Sequence, residues 1–304
     1  MLTNTKILLK KAQANHYAIG HFNINNLEVT QGIVQAANNL NSPIILATSE
    51  GAIKYAGITF LYQLAATASE LSKVPIALHL DHGKDLNIIK QAIQLGYSSV
   101  MIDASHETIE KNILLTKKVV KLAHKKGISV EAELGTIGGV EDSIKSKNIL
   151  YTDPQKAQEF VQKTGCDFLA IAIGTSHGTY KFPGKAKLHQ QLLQEIKKKV
   201  TIPLVLHGAS TVPLSLVHQA NHYGAKLTHF HGVPESELKQ AIRNGICKIN
   251  TDTDLRIAFT TAIRQSLTNN PQEFDSRSYL AEARNSIQHI VEKKIKLFGS
   301  VNKK

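Results

Sequence analysis

The 304-residue sequence predicts an α/β protein, a (β/α)8 TIM barrel with extra C-terminal helices that forms a single domain over residues 1–304. Short apolar runs rich in Ile, Val, Leu and Ala alternate with amphipathic helical patterns, which is typical of a parallel sheet covered on both faces. Eight such units in about 250 residues match the repeat number of this barrel. The sequence shows no low-complexity linker that would divide the chain.

The predicted elements alternate regularly along the chain. Strands are expected at 17–23, 43–49, 75–81, 99–103, 128–133, 168–173, 203–207 and 247–250. Helices are expected at 27–39, 61–72, 86–95, 109–126, 154–163, 188–199 and 235–244, and the chain from Leu255 onward is expected to be helical. A longer connection containing Gly and His follows the seventh strand.

Composition argues against several classes of protein. No run approaches the roughly 18 apolar residues of a membrane span, and the N-terminus lacks the apolar core of a signal peptide, so no membrane partner is expected. The two cysteines have no metal-type spacing, which favours a reducing cytoplasm. The formal net charge of +12 motivates a remote alternative, a nucleic-acid-binding protein. The lysines are dispersed over helical segments without interleaved aromatic residues, so no nucleic-acid partner is expected.

Polar or ionisable residues stand at the end of every predicted strand. Active sites of barrel enzymes are built from several strand ends on one face, so we expect these residues to converge. Asp81 and His82 are neighbours, and a turn at Gly83, which permits unusual dihedral angles, would let both reach one cavity. The strand-end residues are Asn23, Ser49, Asp81 with His82, Asp103, Glu133, His177 shortly past the sixth strand, His207 and Asn250.

Three of these residues are histidines from three different strand ends. Three neutral imidazoles with an open fourth position suit a catalytic Zn²⁺, and the expected ligands are His82, His177 and His207. Asp103 and Glu133 are expected either to hydrogen-bond to these ligands or to form an alternative metal position. Glu131, two residues before Glu133, is expected to point the same way.

Glycine-rich stretches accompany the later strands. Barrels commonly bind phosphate with backbone N–H groups and hydroxyls of the loops after strands seven and eight, and Gly208, Ser210, Thr251 and Thr253 fit such a site. Another glycine-rich stretch, residues 135–153, is long for a connection between a strand and a helix. It favours a mobile lid on which Glu141 could bring a base to the substrate.

Five motifs in order make the chain similar to a known family. They are LHLDHG (78–83), VEAELG (130–135), GTSHG (174–178), LHGAS (206–210) and NTDTDLR (250–256). With them the chain resembles the class II, metal-dependent fructose-1,6-bisphosphate aldolases over nearly its whole length, from Asn23 to the basic C-terminal helix.

The resemblance implies reversible cleavage of fructose 1,6-bisphosphate into dihydroxyacetone phosphate and glyceraldehyde 3-phosphate. Zn²⁺ on the three histidines would polarise the ketone oxygen and stabilise the enediolate. Asp81 would take the proton from the C4 hydroxyl, and Glu141 would move the proton at the dihydroxyacetone phosphate carbon. Asp103 and Glu133 match a second metal position, and a monovalent cation, Na⁺ or K⁺, is expected near the phosphate.

Substrate contacts and assembly follow from the same resemblance. The expected partners are phosphorylated sugars and a second copy of the chain, in a homodimer or homotetramer. Asp254 and Arg256 are expected at the other phosphate of the bisphosphate, across a dimer interface. The expected substrate-binding residues are Asn23, Ser49, Gly178, Lys181, Gly208, Ser210, Asn250, Asp252, Thr253 and Arg256.

Two alternatives concern related chemistry. Gly208-Ala209-Ser210 resembles the tagatose-1,6-bisphosphate aldolases, because the fructose enzymes often have Gly-Gly-Ser there, whereas an insertion at 221–235 favours fructose. A Schiff-base aldolase requires a buried lysine inside a strand, and no strand interior is expected to hold one. Lys248 is the nearest candidate, and the sequence shows no partner for it.

Overall fold

A closed barrel of eight parallel strands forms the centre of the fold, which confirms the predicted fold class. The computed structural model describes residues 1–136, 150–176, 186–228 and 232–304, together with the backbone of 138–141, 144–146 and His177. Numbered in chain order, the strands are β1 (Ile19–Asn23), β2 (Ile44–Ser49), β3 (Ile76–Gly83), β4 (Ser99–Ile102), β5 (Ser129–Leu134), β6 (Gly138–Glu141), β7 (Ile144–Ser146), β8 (Phe168–Ile171), β9 (Ser176–His177), β10 (Leu204–Leu206) and β11 (Ile246–Thr251). The order around the barrel is β1–β11–β10–β8–β5–β4–β3–β2.

Helices cover the outside of the barrel. Side-chain caps begin several of them: Asn26 Oδ1 accepts from Val29 N at 2.9 Å, and Asp153 Oδ1 accepts from Lys156 N at 2.8 Å. None of the described helices is both long enough and apolar enough to cross a membrane. The helices are α1 (Thr5–Ala14), α2 (Leu27–Asn39), α3 (Glu50–Ala56), α4 (Ile58–Leu71), α5 (Leu86–Leu95), α6 (Ile109–His124), α7 (Pro154–Thr164), α8 (Gln190–Lys199), α9 (Leu214–His222), α10 (Glu235–Arg243), α11 (Thr253–Asn269) and α12 (Ser276–Phe298).

Several elements were not expected from the sequence. Helices α1, α3 and α9 lie in stretches without a predicted element. The expected lid, residues 135–153, contains β6 and β7, which pair antiparallel, and β6 also pairs with β9. These strands have two to four residues each, too short to show a recognisable alternation of polar and apolar side chains.

The apolar core has two parts. The larger lies between the barrel wall and the surrounding helices, where outward-facing strand residues such as Leu46 and Leu78 are fully buried. The smaller fills the amino-terminal end of the barrel interior, where Ile19, Ile45 and Phe168 pack against Leu8 and Leu9 of α1. Helix α1 therefore closes the end of the barrel opposite the strand ends that carry the predicted site.

Candidate active site

The end of β3 brings Asp81 and His82 to the same side of the barrel. The pairing of β3 with β4 shifts register between Leu80 and Gly83. The left-handed backbone conformation expected at Gly83 lies at His82 instead, with φ of +47°. Gly83 is needed for a different reason, because a Cβ there would lie 2.5 Å from the carbonyl oxygen of Met101. Close contact between neighbouring strands, rather than dihedral freedom, requires glycine at this position.

Asp81 is held as a carboxylate by two amides. Asn23 Nδ2 donates to its Oδ2 at 3.0 Å, and Asn250 Nδ2 donates to its Oδ1 at 3.2 Å. Burial would raise the pKa of Asp81, but the nearby His21 and His82 hold it well below its ordinary value. The side chain is therefore ionised and oriented at neutral pH, as a proton acceptor must be.

His82 and His207 face each other through one ring nitrogen each. His82 Nε2 and His207 Nδ1 lie 2.8 Å apart. The remaining nitrogens, His82 Nδ1 and His207 Nε2, donate to Asp103 Oδ2 at 2.9 Å and to Glu131 Oε1 at 2.6 Å. If both rings are neutral and each donates its one N–H to a carboxylate, the two facing nitrogens each carry a lone pair. Two lone pairs this close repel each other unless a positive charge lies beside them. Carboxylates behind metal-binding imidazoles are the usual support of such ligands, so this pair fits a metal ion.

The surroundings of His82 also favour a cation. Burial alone would lower its pKa, but Asp81, Asp103 and Glu133 together raise the pKa to about 10. Asp81, His82 and His207 offer ligand atoms that all lie within 4.8 Å of one another. In the metal-free protein a proton can occupy the position between the two rings.

A second group of possible ligand atoms joins His82 to Asp103 and Glu133. Glu133 Oε2 is buried, has no hydrogen-bond partner among the described residues, and lies 3.9 Å from His82 Nδ1. Burial and the neighbouring Asp103 raise the pKa of Glu133 well above its ordinary value. Asp103 and Glu133 are the residues at which a second metal position was expected, and the Glu133 oxygen has no hydrogen-bond partner among the described residues.

Lys248 is fully buried in β11 and has two partners, contrary to the sequence-based expectation. Its Nζ forms an ion pair with Glu131 Oε2 at 2.9 Å and donates to Asn250 Oδ1 at 2.8 Å. A lysine can only donate, so Asn250 must turn its oxygen to Lys248 and its NH₂ group to Asp81. An ammonium group held in an ion pair is a poor nucleophile, which disfavours Schiff-base chemistry.

Beneath the strand-end residues, the barrel interior contains a buried polar layer, of which His21, His79 and Ser99 were not predicted from the sequence. His79 Nδ1 lies 2.7 Å from Ser99 Oγ, and Ser99 Oγ lies 2.7 Å from Thr5 Oγ1 of α1. His21 Nε2 lies 3.0 Å from Asn23 Oδ1, so it supports the amide that binds Asp81. The sequence does contain a signal for this layer. Residues two positions apart on a strand face the same side, and a polar residue precedes a strand-end polar residue by two positions at His21, His79, Glu131 and Lys248.

The expected phosphate-binding residues lie on the ends of β10 and β11. Ser210 and Thr253 are buried there, and Gly208 has φ of +60° with no room for a Cβ, which would lie 2.7 Å from the Ser176 carbonyl oxygen. Arg256 Nη2 pairs with Asp252 Oδ2 at 2.8 Å. Ser49 pairs with Asp81 in the β2–β3 register and caps α3 through its Oγ.

One expected contact is wrong, and others lie outside the described residues. Asp254 is fully buried and accepts hydrogen bonds from Thr211 N and Val212 N, so it is not available to the far phosphate. The side chains of His177 and Glu141 lie outside the described residues, as do Gly178 and Lys181. Residues 229–231 of the expected insertion also lie outside them.

Comparison with known families agrees with this geometry. The family model described as "Fructose-bisphosphate aldolase class-II" matches residues 3–303. The chain belongs to the class II fructose-bisphosphate aldolase family. It is 47% identical over 305 residues to the fructose-bisphosphate aldolase of Thermus caldophilus, with 100% of both chains covered. It is 45% identical over 302 residues to that of Giardia intestinalis, covering 98% of this chain and 93% of the relative.

Solved structures give the same family and fold. The YdjI aldolase of Escherichia coli K12 matches with a TM-score of 0.81 at 33% identity, covering 100% of this chain and 99% of the other. A putative fructose-1,6-biphosphate aldolase from Coccidioides immitis matches with a TM-score of 0.83 at 30% identity, covering 99% and 97%. The class II aldolases are generally zinc-dependent lyases that act on phosphorylated sugars, and the His82–His207 pair fits that metal. Neither tagatose 1,6-bisphosphate nor nucleic acid is favoured as the main ligand.

Proposed function

We propose that the class II aldolase reaction of this protein, the reversible cleavage of fructose 1,6-bisphosphate into dihydroxyacetone phosphate and glyceraldehyde 3-phosphate, takes place around Asp81, His82 and His207. The observation that carries this assignment is the pair of facing imidazole nitrogens at 2.8 Å, each ring supported by a buried carboxylate. The ionised Asp81 is the base beside them. His177, which follows β8, is proposed as the third metal ligand.

The protein side chains supply proton transfer and orientation. In cleavage, Asp81 accepts the proton of the C4 hydroxyl as the C3–C4 bond breaks, and it returns the proton in condensation. Asn23 and Asn250 hold the carboxylate in place throughout. When bound, Zn²⁺ supplies Lewis-acid stabilisation of the negative charge that develops at the ketone oxygen. Glu141 is proposed to move the proton at the dihydroxyacetone phosphate carbon.

Phosphate binding is assigned to the ends of β10 and β11. Gly208, Ser210 and Thr253 offer backbone N–H groups and hydroxyls at the place where barrels usually bind phosphate. The remaining proposed substrate contacts are Asn23, Ser49, Gly178, Lys181, Asn250, Asp252 and Arg256. A Na⁺ or K⁺ ion near the phosphate and a second metal on Asp103 and Glu133 complete the proposed site, and the unpartnered Glu133 Oε2 supports the latter.

Assembly and location are further parts of the proposal. A homodimer or homotetramer is proposed from the resemblance to the family. A cytoplasmic location is proposed because both cysteines are free thiols buried in the fold, as a reducing compartment favours.

The decisive experiment is cleavage of fructose 1,6-bisphosphate before and after EDTA treatment, with Zn²⁺ added back. Loss of activity with EDTA and recovery with Zn²⁺ supports the assignment. Activity that survives complete metal removal, verified by elemental analysis, contradicts it and directs attention to Schiff-base trapping with borohydride. The same assay with tagatose 1,6-bisphosphate gives the ratio of kcat/KM for the two epimers, and we expect that ratio to favour fructose.

A further inference from the structure

The loops after β10 and β11 are tied together by one buried carboxylate. Asp254 lies in the first turn of α11, directly after Thr253, and is fully buried. Its Oδ1 accepts a hydrogen bond from Val212 N at 2.6 Å, and its Oδ2 accepts one from Thr211 N at 3.1 Å. Asp254, which follows β11, therefore fixes the backbone of the two residues that follow Ser210 in the loop after β10.

Lys294 of the C-terminal helix α12 fixes this carboxylate. Its Nζ lies 2.5 Å from Asp254 Oδ2 and donates to Thr211 Oγ1 at 2.5 Å. The Lys294 side chain is only 5% exposed, so water cannot replace either contact. Helix α12 is thereby bonded to the loop after β10 through a lysine that is 83 residues away from Thr211 in the sequence.

The loop after β10 needs such support because its conformation is unfavourable. Val212 is β-branched and has φ of +40°, a conformation that such residues rarely adopt. Val233 N donates to Ser210 O at 3.0 Å on another side of the loop. Gly232 passes so close that a Cβ there would lie 2.1 Å from the Thr211 carbonyl carbon. A strained loop persists only where its neighbours hold it, and Asp254 with Lys294 is the charged part of that support.

We propose that Asp254 and Lys294 are positioning residues for the substrate phosphate. They keep the loop that carries Gly208 and Ser210 in a fixed relation to Thr253 at the start of α11, so that one phosphate group can be bound by both. This inference rests on the proposed function only because it takes Gly208, Ser210 and Thr253 as the phosphate site. Because the pair acts through the loop, its loss lowers affinity for the phosphate-bearing fragment and leaves proton transfer at Asp81 largely intact.

The test compares Lys294→Met with Lys293→Met in the full-length, zinc-loaded enzyme. Lys293 is the exposed neighbour on the same helix, so its substitution removes the same charge without touching Asp254. If the binding-competent loop is populated about one-tenth of the time, the apparent Kd rises about tenfold. We therefore expect Lys294→Met to raise both KM for fructose 1,6-bisphosphate and the calorimetric Kd for dihydroxyacetone phosphate by about tenfold, with kcat changed less than about threefold. Lys294→Arg keeps the positive charge beside Asp254, although its guanidinium is larger and planar, and it is expected to recover part of the affinity.

The outcomes separate this inference from the proposed function. A Kd for dihydroxyacetone phosphate in Lys294→Met equal to that of Lys293→Met overturns the inference, even in an enzyme that cleaves fructose 1,6-bisphosphate normally. A raised Kd supports it even in a protein that prefers another bisphosphate, because binding is measured directly. If Lys294→Met does not fold, Thr211→Val removes only the hydroxyl that accepts from Lys294. A rise of about threefold in the Kd of that variant supports the inference, and a wild-type Kd overturns it.

Discussion

Replacing Lys248 with methionine tests whether one buried amine organises the interior of the barrel. Methionine is also long, flexible and unbranched, but it removes the charge that faces Glu131 Oε2 at 2.9 Å and the donor to Asn250 Oδ1 at 2.8 Å. Lys248 and Glu131 are both fully buried, so solvent does not compensate for the loss. The substitution leaves a carboxylate without its counter-ion in the middle of the fold.

Two effects of known size are expected. Removing one partner of a buried ion pair costs about 3–5 kcal/mol, so the free energy of unfolding of the metal-free protein should fall by about 4 kcal/mol. Glu131 also accepts from His207 Nε2 at 2.6 Å and so orients this proposed metal ligand. Disturbing the support of a metal ligand typically lowers affinity by about 10–100-fold, and we expect a loss of zinc affinity in that range.

Urea unfolding of EDTA-treated protein measures the first effect, and competition with a chelator of known affinity measures the second. The double variant Lys248→Met with Glu131→Met is the matched control, because removal of both charges should recover most of the lost stability while zinc binding stays weak. A single variant within about 1 kcal/mol of wild type, with unchanged zinc affinity, would refute the proposed role of Lys248.

The remaining predictions concern the reacting groups themselves. Asp81→Ala should reduce kcat by about 10²–10⁴ while zinc content and dihydroxyacetone phosphate affinity stay close to wild type, because a general base contributes a factor of this size. An unchanged kcat would remove Asp81 from the mechanism. His207→Ala should lower both bound zinc, measured by elemental analysis of the purified protein, and activity. Full zinc occupancy in that variant would contradict the ligand assignment.

The sequence predicts those elements whose signals are local. Helices α2 and α5 match their predicted bounds to the residue, because Asn26 and Asp85 cap their first turns and each has a clear apolar face. Helix α1 could not be found in this way, since its place depends on Leu8 and Leu9 packing into the barrel end. Tertiary packing, rather than local preference, gives most helices their stability.

The same distinction between local signals and long-range packing applies to the residues of the site. Asp81, His82, Asp103 and His207 could be found because each interrupts or follows a continuous apolar run. The side chains that hydrogen-bond to these residues could not be assigned in the same way, because their roles depend on which of them share a layer inside a closed barrel. Register shifts at β3–β4 and β10–β11 alter the alternation of inward- and outward-facing residues on which such an assignment depends. The burial of Asp254 could not be predicted from the sequence either, because its partners Val212 and Lys294 are 42 and 40 residues away in the chain.

The polar contacts from Thr5 through Ser99 to His79 also connect helix α1 to the interior of the barrel. These groups are fully buried, and successive atoms are 2.7 Å apart, so their exchangeable protons are sheltered from water. Such burial slows the exchange of these protons with water, which hydrogen-exchange measurements can follow. His79 Nε2 lies 3.4 Å from Glu131 Oε2, and Glu131 in turn contacts His207. A continuous run of buried polar side chains thus leads from helix α1 at one end of the barrel to a proposed metal ligand at the other.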